Sequence, residues 1–164
     1  MFYLSPFAQL KDFDVVQEMK SYQGKPQVIY LTALWCKPCM DKLPDVISKF
    51  SAKDSINFIV LMDRHKVSSE LLQKLKAKYD TSGFRFIPNK YYPSKRGFIQ
   101  ISPTKKVFDA LANDFNKTYG TSYSIDNLWV GSAIVQNKSG FYVTKESEKA
   151  RLLEEISSLL SSAQ

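Results

Sequence analysis

The segment that most restricts the fold of this chain is Trp35-Cys36-Lys37-Pro38-Cys39, because of what flanks it. Before it runs Gln27–Ala33 (QVIYLTA), β-branched and apolar as in a strand buried on both faces of a sheet. After it, Cys39, Leu43, Val46, Ile47 and Phe50 recur at helical spacing, which predicts a helix over Lys37–Ala52 with the cysteines in its first turn. The order is therefore strand, dithiol, helix. Cys-x-x-Cys spacing brings both sulfurs within reach of each other across one helical turn.

A thiol attacks poorly until it ionises, and a free pKa of about 8.5 leaves only a few per cent thiolate at neutral pH. Cys36 falls where unpaired backbone N–H groups and the helix dipole favour an anion, with Lys37 and Lys42 adding positive charge. Cys39, one turn deeper, suits the resolving role, and Pro38 stiffens the turn between them. Two other readings compete. The pair could be half of a zinc site, but there is no second pair and His65 is the only histidine, so a closed site would need Asp or Glu ligands. It could also be two inert buried cysteines. No metal and no cofactor is expected.

Two cysteines are too few for a disulfide framework, and 164 residues with 44% hydrophobic content supply a core without one. The length is that of one domain, 1–164. A net charge of +7 from 23 basic and 16 acidic residues is spread along the chain, which argues against a nucleic-acid surface. No run approaches a membrane span, and Met1–Leu10 has neither the basic start nor the apolar stretch of a leader.

Beyond the dithiol, Asp12–Tyr22 predicts a short helix through Phe13, Val16 and Met19, and Ile56–Met62 a second buried strand. A helix carrying Val67, Leu71, Leu72, Leu75 and Tyr79 follows. The connection between the strands allows a right-handed parallel crossover, which puts Cys36 and Asp63–His65 on one sheet edge. Gly83–Ile101 predicts an irregular hairpin, and a helix starts at Ser102-Pro103. Leu128–Val135 and Gly140–Val143, joined by a turn over Gln136–Ser139, predict a terminal hairpin, with Glu146–Leu160 a last helix.

Lys25-Pro26 leading into a strand, Trp35-Cys36-Lys37-Pro38-Cys39, then Leu43-Pro44, together resemble the thioredoxin superfamily, nearest its TlpA-like and ResA-like thiol–disulfide oxidoreductases. Tyr119-Gly120 and the stretch Ile134–Gly140 resemble that branch's later motifs. The resemblance implies an α/β thioredoxin fold: a central mixed β-sheet flanked by helices, with an insertion over residues 81–118 before the terminal hairpin and helix. It implies catalytic Cys36 and Cys39, with Trp35, Lys37, Pro38, Val130 and Gly131 contacting substrate. The partners implied are a protein thiol or disulfide and an upstream redox protein. The compartment is extracytoplasmic if a leader preceded Met1, and cytoplasmic otherwise.

Three positions depart from the family pattern. Tyr30 stands six before the first cysteine, where a buried acid or amide is frequent, and Lys42 stands where the branch carries a proton-relaying glutamate. Counting back from Gly140, the superfamily's cis-proline falls on Gly131. A cis bond without proline costs ~3–4 kcal/mol, so Val130–Gly131 is expected to be trans, and a glycine there is expected to leave the dithiol more open.

His65, Asp41 and Asp63 are candidate proton carriers, and Tyr91, Tyr92, Lys95 and Arg96 a candidate partner patch. Against the first stands a solvated loop histidine; against the last, a solvated hairpin tip. The function expected is thiol–disulfide exchange with protein disulfides, as a reductant, since no histidine lies between the cysteines. The alternatives are a binding or scaffold protein with a vestigial dithiol, and a metal or cluster carrier. A peroxiredoxin-type peroxidase is disfavoured by Ala33, where such a site wants threonine.

Overall fold

The computed structural model describes residues 10–49, 55–63, 67–92, 103–124, 127–144 and 149–162. A six-residue helix α1 (Val15–Lys20) starts at Asp14, whose carboxylate accepts Gln17 N–H at 3.2 Å. Strand β1 (Gln27–Thr32) follows, then α2 (Lys37–Lys49), with Pro44 on its exposed side. Next come β2 (Ile56–Leu61), α3 (Ser69–Lys78) capped by Ser68, β3 (Phe84–Phe86) and a 3₁₀ turn at Asn89–Tyr91. The long helix α4 (Pro103–Tyr119) precedes β4 (Ala133–Asn137), β5 (Gly140–Val143) and α5 (Lys149–Ser161).

The five strands form one sheet in the order β3-β2-β1-β4-β5. β1, β2 and β3 run parallel; β4 is antiparallel to β1, and β5 to β4. Every residue of β1 is buried, because helices cover both faces. Ile29 and Leu31 face a core with α1 and α4 that contains Phe13, Phe108 and Phe115. Val28 and Tyr30 face the other, with Leu43, Val46, Leu72 and Ile156 from α2, α3 and α5. This mixed sheet flanked by helices, with the dithiol ahead of the helix that follows β1, is the thioredoxin fold.

Two local readings change. Of Gly83–Ile101 only residues 83–92 are described, and there Phe84–Phe86 joins the main sheet beside β2, pairing Phe84 with Ile59 and Phe86 with Leu61; the rest of the expected hairpin lies outside the described residues. Phe84 and Phe86 are buried on one face while Arg85 stacks over Phe58 at 5.5 Å on the other, the period of an edge strand. Gly83 permits the join, since a Cβ there would stand 2.7 Å from the Asn57 carbonyl oxygen. The part of segment 81–118 that is described thus supplies β3 and α4. The second change is that β4 begins only at Ala133, because Leu128–Ser132 is spent on a turn described below.

Asp14, Lys90, Tyr91 and Asp114 tie α1, the 3₁₀ turn and α4 together. Lys90 pairs with Asp14 at 2.5 Å and Asp114 at 3.3 Å, and the buried Tyr91 hydroxyl donates to Asp114 at 2.5 Å. Burial alone would raise the Asp114 pKa, but the bonds from Tyr91 and Lys90 outweigh it and hold it below the ordinary carboxylate value. A lowered folded pKa means the unfolded state binds more protons in acid, so this stability is present at neutral pH and lost as pH falls through the carboxylate range. Asp114→Asn should cost about 1 kcal/mol at pH 7. In urea titrations at a series of pH values, the gap from the parent should close in acid.

Candidate functional site

The dithiol sits where β1 must hand over to α2. Cys36 N–H donates to Ala33 C=O at 3.0 Å, closing a turn, and Cys36 C=O accepts Met40 N–H at 3.0 Å. Cys36 is therefore the residue that opens α2, where the first N–H groups of the helix lack intrahelical partners and attract an anion. Cys36 and Cys39 are joined as a disulfide with their Cα atoms 5.3 Å apart. Cys36 is half-buried, whereas Cys39 is 2% exposed. Such a pair gives one thiol access to a partner and keeps the other behind it.

Beneath the pair, fully buried Tyr30 donates its hydroxyl to Cys39 C=O at 3.2 Å. Burial pushes the phenol pKa up, so the group stays neutral and acts as a donor, not as a proton acceptor. Lys42 is 7% exposed and lines the same depression as both sulfurs. Lys37 lies at the surface and pairs with Asp41 at 2.7 Å, an exposed ion pair in the first turn of α2. Asp63 is buried on the edge shared with the dithiol, and its Oδ2 accepts Leu34 N–H at 2.9 Å. His65, Lys95 and Arg96 lie outside the described residues.

Above the pair stands the turn Trp129-Val130-Gly131-Ser132, closed by Ser132 N–H and Oγ–H to Trp129 C=O at 3.1 and 2.6 Å. Gly131 N–H donates to Leu31 C=O at 2.7 Å, pulling the turn onto β1. Gly131 has φ +92°, and a Cβ on it would meet Cys39 Sγ at 3.4 Å. The chain contains no cis peptide bond among its described residues. The turn comes down against Cys39, which is 2% exposed, so the glycine does not leave that sulfur uncovered, contrary to the sequence expectation.

Trp35 is 47% exposed and stands 6.5 Å from Trp129, centroid to centroid; Trp129 in turn rests on Phe108 of α4 at 4.5 Å. An open depression is lined by Trp35, Cys36, Lys37, Pro38, Cys39, Lys42, Trp129, Val130 and Gly131. Trp129 and Asp63 are the additions that sequence reasoning left unassigned or undecided. Trp129 had a signal, since it stands two before Gly131. Of the candidate patch, buried Tyr91 bonds Asp114 and half-buried Tyr92 bonds Met62 C=O at 2.8 Å, while Lys95 and Arg96 lie outside the described residues. No group of three or more His, Cys, Asp or Glu side chains capable of holding a metal occurs among the described residues.

Proline does not fit at Gly131. Its ring fixes φ near −65° and it has no N–H for Leu31, and alanine would be strained at φ +92°. Gly131→Ala should cost about 1–2 kcal/mol. Gly131→Pro should cost about 3 kcal/mol or more, and it should lower rather than raise disulfide exchange. Urea unfolding of both variants, with insulin reduction alongside, checks this.

No family model matches the chain, and no curated protein matches it in sequence. Several solved structures are similar, three of which follow. The pneumococcal exposed lipoprotein thioredoxin Etrx1 of Streptococcus pneumoniae is 20% identical with a TM-score of 0.42, over 85% of this chain and 89% of that one. A putative electron transfer protein from Aquifex aeolicus is 14% identical with a TM-score of 0.48, over 88% and 85%. BsSco, a member of the Sco family of cytochrome c oxidase assembly proteins, is 14% identical with a TM-score of 0.42, over 87% and 84%. The fold assignment rests on strand order and on the place of the dithiol: a thioredoxin fold with a Cys36–Cys39 pair at disulfide distance.

Proposed function

We propose that this chain is a thiol–disulfide oxidoreductase of the TlpA-like kind, which reduces protein disulfides through Cys36 and is reoxidised and re-reduced as one dithiol. The observation that carries the reading is the asymmetry of the pair: Cys36 half-buried at the start of α2, Cys39 buried one turn behind it. In the first step the Cys36 thiolate attacks a substrate sulfur; a mixed disulfide forms, the substrate disulfide breaks, and its second sulfur leaves as thiolate. Cys39, losing its proton to solvent, then attacks Cys36 Sγ, forming the Cys36–Cys39 disulfide and releasing the other substrate sulfur. Two electrons pass to the substrate, and an upstream dithiol partner restores them.

The reductant direction is supported by what surrounds Cys36. No histidine lies between the cysteines, and the charge of Lys37 is shared with Asp41, so the thiolate is favoured by the helix end and Lys42 but not overwhelmingly. A strongly stabilised thiolate would make the disulfide an oxidant. Trp35, Lys37, Pro38, Val130 and Gly131 contact the incoming segment in this reading, as they line the depression with the sulfurs. No described helix is long and apolar enough to cross a membrane.

Insulin reduction with cysteine variants tests the reading. The parent should catalyse reduction, Cys36→Ser should reduce it to the uncatalysed rate, and Cys39→Ser should accumulate a mixed disulfide at Cys36. Trapping through Cys39 in the Cys36→Ser variant would reverse the roles, and a parent that reduces no protein disulfide would leave a binding or scaffold protein.

A further inference from the structure

At the ends of β1 and β2 the two strands are joined by a side chain as well as by backbone. The last backbone bond between them is Met62 N–H to Thr32 C=O at 2.9 Å. One residue on, Asp63 Oδ2 takes the Leu34 N–H at 2.9 Å, with the residue only 3% exposed. Leu34 lies inside the turn that Cys36 N–H closes on Ala33 C=O. From the other side, Met62 C=O is held by the Tyr92 hydroxyl at 2.8 Å, so the backbone that carries Asp63 is itself fixed.

A carboxylate is costly to bury, and an apolar side chain of similar size would fill the space at less cost. What it supplies here is an acceptor for an N–H that the sheet no longer serves, two residues before the attacking sulfur. Asp63 does not line the depression, so its hydrogen bond acts on the sulfur through Leu34.

We infer that Asp63 is a positioning residue of the dithiol: by holding Leu34 N–H it fixes the turn into α2 and keeps Cys36 at the helix end, where its thiolate is stabilised. The inference rests on the oxidoreductase reading above for its purpose, though not for its measurement. Two physical roles for the carboxylate predict opposite signs. As a hydrogen-bond acceptor, its loss frees the turn and destabilises the thiolate, whereas as a bare negative charge its loss would stabilise the thiolate.

The experiment compares Asp63→Ala and Asp63→Asn with the parent, reading iodoacetamide reactivity of reduced Cys36 at neutral pH and the dithiol reduction potential. Asp63→Ala should slow alkylation about tenfold. It should also make the potential more negative by about 30 mV, the equivalent of tenfold in the exchange equilibrium. Asparagine keeps an acceptor for Leu34, so Asp63→Asn should recover most of both. A positive shift in both variants would show that the charge and not the bond matters, and an unchanged Asp63→Ala would show that neither does; either overturns the inference. Should Asp63→Ala fail to fold, amide hydrogen exchange of Leu34 in the parent decides: protection supports the bond, and exchange at the rate of an open loop contradicts it. If the parent reduces no insulin, the oxidoreductase reading fails, while alkylation and amide exchange still report on Asp63.

Discussion

Strand β1 is hydrogen-bonded on both edges and covered on both faces, and its far end is where the chemistry stands. Pairing with β2 fixes it in a parallel register through six residues, and pairing with β4 fixes it in an antiparallel one. Its backbone groups are spent in the sheet, so Leu31 and Thr32 cannot shift without breaking bonds to Gly131, Ser132 and Met62. Those three contacts bring the turn at 129–132 and the end of β2 to the same few ångströms as Cys36. The site is therefore a consequence of where a fully buried strand stops.

Tyr30, Lys42 and Gly131, the three positions that depart from the pattern the sequence resembles, all stand around the dithiol. Beneath Cys39 a neutral hydroxyl donates, above it a glycine turn lies on the sulfur, and beside both a lysine is buried. None of these groups is a carboxylate, and Asp63, a buried acid on the same sheet edge, accepts Leu34 N–H. In the oxidoreductase reading, the helix end is what favours the Cys36 thiolate.

The sequence made this architecture legible where a local pattern and a tertiary role coincide. β1 is a largely apolar run because both its faces are buried, and the helical spacing that begins at Cys39 places the cysteine pair at the start of α2. Gly131 was found by counting from Gly140, and it stands against Cys39. What sequence did not reveal depends on partners distant along the chain. Phe84–Phe86 reads as part of a local hairpin, and its pairing with the distant β2 is not visible in the local pattern. Tyr91 and Tyr92 are aromatic beside basic residues, a composition that suits a surface patch equally well until Asp114 and Met62 C=O are seen to receive their hydroxyls. The openness expected of a glycine site failed for a similar reason: the bond from Gly131 N–H to Leu31 draws the turn down over Cys39, and no count of residues reveals it.

In the reading proposed above, Cys36 and Cys39 form a working reductant on this fold. The most direct measurement is the reduction potential of the pair, obtained by equilibrating the protein with dithiol buffers of known potential and reading the fraction of disulfide. A reversible two-electron transition near about −270 mV, in the range of thioredoxin-like reductants, is the predicted result. A potential near about −120 mV, that of a strong oxidant, or a pair that does not equilibrate at all, would contradict the account.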